Sequence, residues 1–233
     1  MKNKWSVVLA FTLAGVIGGF FVGLNTVKNP PVPIPDTTLV IVAVTVQTAI
    51  LTFLLALAGW ALLKRTELSL WKGRGWKAAI IGGVLVGLVL VGADRLLFTA
   101  FLPELEELSS SFSIVGLLMG IFYGGVVEEV MLRMFLMSLI IFLIAKVKKR
   151  INLSDGAYWL AILITAVLFA VGHFPANIAI FGELTPVVAT RALLLNGIGG
   201  IVYGYLFWRY GLVSSITAHM MTHVTMQLFM LVL

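Results

Sequence analysis

Seven long apolar runs, separated by short polar, basic or proline-rich breaks, set the pattern of this 233-residue chain. They cover approximately residues 5–24, 38–63, 78–102, 112–145, 154–174, 188–208 and 212–233. At about 1.5 Å per residue, each is long enough as a helix to cross a hydrocarbon core about 30 Å thick. The pattern predicts an all-α fold, a polytopic transmembrane bundle of about seven spanning helices. Residues 1–233 form a single integral membrane domain, with 1–111 as accessory N-terminal helices and 112–233 as the core that carries the candidate chemistry.

The breaks refine this picture. The first run is longer than a usual signal-peptide core and no A-x-A-like cleavage site precedes Asn25, so a retained helix is expected. Residues 29–36 contain four prolines, which lack donors and fix φ, and read as an extended external loop. Lys64, Arg65, Lys72, Arg74 and Lys77, interleaved with Trp71 and Trp76, read as a cytoplasmic loop at the membrane interface. Residues 103–107 read as an acidic external turn, and 177–186 as an outer loop or short re-entrant piece. In the third run, Gly83 and Gly87 stand at a close-packing interval, and Asp94 with Arg95 reads as an ion pair or a snorkelling interfacial pair. The fourth run would extend about 50 Å as one helix, so part of it must tilt, break or project. Gly124 and Gly125 are the expected place for a bend or a close helix contact. Ser154 or Asp155 is the expected cap of the fifth run, and Pro175 stops its simple continuation. Basic residues fall on alternate breaks, which predicts a cytoplasmic N-terminus, an external C-terminus and an odd number of spans.

Composition agrees with the pattern. A hydrophobic fraction of 61%, a charged fraction of 11% and a mean hydropathy of +1.09 leave too little polar surface for a water-soluble globule. The net charge of +6 comes from cations confined mainly to the breaks, which is a topology signal, and no nucleic-acid partner is expected. With no cysteine, thiolate nucleophiles, disulfides and Cys-based metal sites are excluded.

The exception to apolarity is Gly124-Gly125-Val126-Val127-Glu128-Glu129-Val130-Met131-Leu132-Arg133, which sets two carboxylates and a guanidinium inside the fourth run. Such a charge at a bilayer centre costs roughly 2.5–3.5 kcal/mol on insertion scales and normally faces an interior or a wet cavity. Glu129 and Arg133 share one helical face in the favourable order for an ion pair, whereas Glu128 turns about 100° away. One carboxylate is thereby neutralised, and the other is free to act as a general base. All three histidines lie downstream on apolar helices: His173 at the end of one run, His219 and His223 on one face of another. They can converge on Glu128. The bland alternative is a buried Glu–Arg network without chemistry. No H-E-x-x-H and no second carboxylate accompany the histidines, so no cofactor is expected, with zinc on the imidazoles as an open alternative. A proton relay of Glu128 and the histidines in a transporter is the rival from another class.

At these residues the chain resembles the CPBP family of intramembrane proteases, which includes type II CAAX prenyl endopeptidases and bacteriocin-processing or immunity proteins. Glu128-Glu129-x-x-x-Arg133 matches E-E-x-x-x-R, and Phe169-x-x-x-His173 matches F-x-x-x-H. His219-x-x-x-His223 takes the place of H-x-x-x-N, with His223 where the motif has Asn. A glycine-rich helix, a short turn and a His-bearing helix, Gly197 through His219, also look like the family. The resemblance covers about residues 112–233 and implies an intramembrane glutamate protease. Glu128 would activate water, and His173, His219 and His223 would assist it or stabilise the oxyanion, with Glu129, Arg133 and Phe169 supporting. It implies a peptide or protein substrate, with prenylated proteins and leader peptides as candidates, and a multi-pass protein in the cell membrane of a prokaryote. A non-catalytic immunity-type member is the alternative within the family. The topology drawn above sets His173 near the outer end of its helix, while Glu128, His219 and His223 lie nearer the middle. The resemblance to the CAAX enzymes implies a cavity open to the cytoplasm instead.

Overall fold

The computed structural model describes residues 3–28, 35–108 and 112–232. Its elements are α1 (Lys4–Lys28), α2 (Thr37–Leu63), α3 (Trp76–Phe98), α4 (Glu104–Leu108), α5 (Ile114–Lys148), α6 (Asp155–Gly172), α7 (Phe174–Phe181), α8 (Pro186–Tyr210) and α9 (Leu212–Val232). The described residues contain no strand. Among the described residues, six helical segments are long and apolar enough to cross a membrane: α1, α2, α3, α5, α8, and α6 with α7 taken together. The seventh expected span, α9, is 21 residues long, and its apolarity is diluted by His219, Thr222, His223 and Gln227. The protein is an integral, multi-pass helical bundle.

Short polar side chains set several helix starts. Asp36 accepts from the Leu39 N–H, Ser113 from Gly116 and Thr185 from Val188, each occupying donors that the first turn leaves orphaned. Ser154 holds the N-cap position of α6 without a side-chain bond, and Asp155 sits in the first turn, where its charge complements the helix dipole. Most of the proline-rich stretch, 29–34, lies outside the described residues.

Glycines set the packing. In the antiparallel α1–α2 hairpin, Gly15 faces Thr52, Gly19 faces Thr48 and Gly23 faces Ile41, while Gly18 lets α1 lie against the backbone of Phe122 and Tyr123 in α5. On α3, Gly83 abuts Ala218 and Gly87 abuts Thr222 and Thr225, so α3 and α9 run parallel in close contact. This is the close packing expected at that interval. Antiparallel α6 and α8 meet at Ala166–Gly200 and Ile162–Gly204.

Several expectations are corrected. The acidic stretch after α3 is a short helix, α4, whose Leu105 is buried with Phe98, Leu102, Val188 and Leu195. Asp94 pairs with Arg191 of α8, through two contacts of 2.6 Å, and not with its neighbour Arg95. Residues beyond His173 form a second helix, α7, in which Pro175 takes a first-turn position where its missing N–H costs nothing. At Gly124 and Gly125 the close helix contact, rather than a break, is what the fold holds: Gly124 meets His223 and Gly125 meets Met220 of α9, while α5 runs on unbroken. It is one 35-residue helix whose middle, Gly120–Glu128 and Val130–Met137, is wound more widely, with i→i+5 bonding. Wider winding shortens the rise per residue and absorbs part of the excess length.

The basic breaks gather at one end of the bundle. The segment after α2 folds across the α8–α9 turn, its Ser69 and Leu70 carbonyls accepting from the Leu212 and Val213 N–H groups at 3.0 Å. Tyr158 donates to Glu67 at 3.1 Å, and the Arg65 guanidinium lies over the Phe142 ring.

Candidate active site

One imidazole lies at the centre of the site. His219, on α9, presents Nδ1 to Glu129 Oε1 at 2.9 Å and Nε2 to Glu128 Oε2 at 3.8 Å, so the adjacent glutamates of α5 address opposite edges of one ring. The first contact is a hydrogen bond. The second is beyond direct bonding distance.

The two carboxylates live in different surroundings. Glu129 and Arg133 are both 0% exposed and stand 3.1 Å apart. Glu129 Oε2 accepts from Ser215 Oγ, whose proton is shared with the Tyr203 carbonyl at 2.8 Å. Arg133 Nη2 donates to the Gly200 carbonyl at 3.1 Å, and its guanidinium lies between the rings of Phe169 and Tyr203, 5.0 and 5.4 Å from their centroids. Glu129 is thus consumed by an ion pair and two hydrogen bonds. Glu128 keeps a 13% exposed side chain. A carboxylate held by Arg133 can only accept, so Nδ1 of His219 carries the proton of that bond, and in the neutral ring Nε2 turns a lone pair toward Glu128.

His173 is fixed by the same logic. Its Nδ1 lies 2.8 Å from the Phe169 carbonyl, which only accepts, so Nδ1 donates and Nε2 of the neutral ring is an acceptor. The Phe169 ring meets His173 edge-on at 4.7 Å and His219 edge-on at 5.8 Å, forming the wall between them. Pairing of α6 with α8 puts His173, seven residues past Ala166, about 10 Å inside the Pro186 end of α8. His173 therefore lies deeper than the helix end drawn from the sequence, because α7 carries the chain onward. From its far side, Asn177 Nδ2 donates to the His173 carbonyl at 2.8 Å, and Asn177 Oδ1 accepts from Arg191 at 3.2 Å.

His223 stacks on His219 at 5.1 Å between ring centroids and fits against Gly120 and Gly124, where any Cβ would meet its ring. Tyr203 stacks on the other face of His219 at 4.4 Å. The Tyr203 hydroxyl donates to Thr222 at 2.7 Å, and the Thr222 proton is shared between the Gly83 and Ala218 carbonyls.

Glu128, Glu129, Arg133, Phe169, His173, His219 and His223 are therefore brought to one place. Sequence reasoning missed Ser215, Tyr203 and Thr222. Ser215 lies one turn before His219, a spacing that puts it on the same face. Thr222, three residues after His219, shares that face as well, whereas Tyr203 carries no such signal. Among the described residues no three His, Asp or Glu side chains converge in a way that could hold a metal ion.

Fold and site together define a polytopic helical membrane protein built around a buried Glu–His–Arg centre. Residues 110–225 match the type II CAAX prenyl endopeptidase Rce1-like family, and the chain belongs to this family of membrane proteases. No curated protein and no solved structure gives a match.

Proposed function

We propose that the chain is an intramembrane endopeptidase in which Glu128 activates water for attack on a peptide bond. The observation that carries this reading is the division of labour between adjacent carboxylates: Glu129 is sealed, while Glu128 stays partly exposed beside a lone pair of His219. A water donating one proton to Glu128 and the other to His219 Nε2 would have its oxygen aimed outward for attack. His173 Nε2, an acceptor in its neutral tautomer, suits the same task of orienting water. Glu128 would hold the water proton and return it to the leaving amine. His223 is the candidate donor for the developing oxyanion. The substrate class follows the family: a peptide or protein presented in the membrane, with prenylated proteins and leader peptides as candidates, in a prokaryotic cell membrane.

The test is turnover by purified protein in lipid, with Glu128→Gln and with strong chelation. Glu128→Gln keeps the shape and removes the base, so cleavage should vanish while the fold persists. Chelation should leave cleavage unchanged. Wild-type turnover by Glu128→Gln, or loss in chelator that added zinc restores, would overturn the reading in favour of another base or of a zinc ligated by the histidines.

A further inference from the structure

At the basic end of the bundle a cavity of about 600 Å³ opens between the α2–α3 segment and the end of α8. Lys72, Arg74, Trp208, Arg209 and Tyr210 line it, three cations and two aromatic rings with no acid among them. Other cations at this end, Lys64, Arg65 and Lys77 of the same break among them, do not line this space. These three converge on one space, and ordered backbone holds them there. Lys72 N–H donates to the Tyr210 carbonyl at 3.2 Å, and Lys72 Nζ donates to the Trp208 carbonyl at 2.8 Å, covering the end of α8. Arg209 lies over the Trp208 ring at 5.1 Å. Gly75, at φ +105°, packs against the Tyr210 side chain and leaves no room for a Cβ there. The nearby acid, Glu67, already accepts from Tyr158. Burial holds the Lys72 ammonium below the ordinary lysine pKa against the pull of Glu67, and the Arg209 and Arg74 charges push the same way as burial.

We propose that this cavity is a binding site for the phosphate headgroup of an anionic phospholipid in the adjoining leaflet. A phosphate diester accepts from Lys and Arg at once and relieves the mutual repulsion of the three cations. The lipid is the source, because the cavity sits where the bundle meets the interface. It is flanked by exposed Trp71 and Trp76, the amphipathic rings that occupy headgroup depth. A headgroup there would rest on the α2–α3 segment and the α8–α9 turn, the two pieces that fix the start of the His219 helix.

Arg74 and Arg209 are exposed and outside the hydrogen bonds that hold the turn, so the R74Q/R209Q double variant should fold. The experiment titrates full-length protein in zwitterionic detergent with phosphatidylglycerol, phosphatidylcholine or inorganic phosphate, reading the melting temperature and lipid retention by native mass spectrometry. Phosphatidylglycerol should raise the melting temperature of the wild type, with one molecule retained, and its affinity should fall roughly tenfold or more in R74Q/R209Q. Rising salt should weaken binding in the wild type more than in the variant. Equal stabilisation of wild type and variant, equal stabilisation by phosphatidylcholine, or displacement of the lipid by millimolar inorganic phosphate would each overturn the assignment. The last of these would make it a site for a soluble anion.

Discussion

At the scale of the residue, neighbouring glutamates should fail in different ways. Glu129→Gln leaves the guanidinium of Arg133 buried without its counter-charge, which costs about 3–5 kcal/mol and should appear as lost folded yield and a lower melting temperature. Glu128→Gln should leave both near wild type, since Glu128 makes no ion pair with Arg133 and is partly exposed. Equal melting temperatures for the two variants would mean that the Glu129 network does not hold the fold. His223 allows a sharper comparison. A neutral imidazole and an Asn amide can each donate one hydrogen bond, so His223→Asn should retain substantial turnover. His223→Ala should lose roughly two to three orders of magnitude, the typical worth of one oxyanion donor. A role as metal ligand predicts that Asn is as inactive as Ala, and turnover with bound metal measured side by side separates the two.

At the scale of the element, glycines that look alike in the sequence differ sharply in the fold. A Cβ on Gly82 would meet Val202 and Leu206 at ordinary contact distances, whereas one on Gly83 would run into the Ala218 carbonyl of α9. Gly82→Ala should therefore be neutral or stabilising by up to about 1 kcal/mol from helix propensity. Gly83→Ala should destabilise by about 1–3 kcal/mol, because backbone cannot move aside as a side-chain tip can. Thermal unfolding of the two variants checks this, and matching values would mean that α3 and α9 can separate at no cost. The same contrast marks how far the sequence was legible. Helix positions, the Gly83–Gly87 contact and the convergence of Glu128 with the histidines follow from periodicity and motif spacing, which are local properties. The partner of Asp94 was not legible, since Arg191 lies 97 residues away and only the packing of α3 on α8 selects it over Arg95. The wide winding of α5 was invisible for a related reason: Gly-Gly marks permissive backbone, but whether it bends or merely admits a neighbour depends on what packs there, here Met220 and His223. Ser215 and Tyr203 carry ordinary side chains whose role exists only once α5, α8 and α9 are assembled.

At the scale of the whole molecule, the alternation of basic breaks predicts that a tag at the N-terminus is protected until cells are lysed, while a C-terminal tag is digested from outside. A cytoplasmic C-terminus would reject seven crossings and require α9, which is not among the six segments apolar enough to cross, to end within the bundle. The placement of α3 has another consequence. The inherited stretch matched by the family begins at residue 110, but the surface it needs does not. Thr222, which holds the tyrosine stacked on His219, gives its proton to a carbonyl of α3. A boundary drawn by ancestry thus cuts through a packed seam. In a chimera joined at residue 110, the incoming half would arrive with a socket shaped for another protein's third helix. Such exchanges between relatives should work only when the residues facing α9, Gly83 and Gly87 here, travel with it.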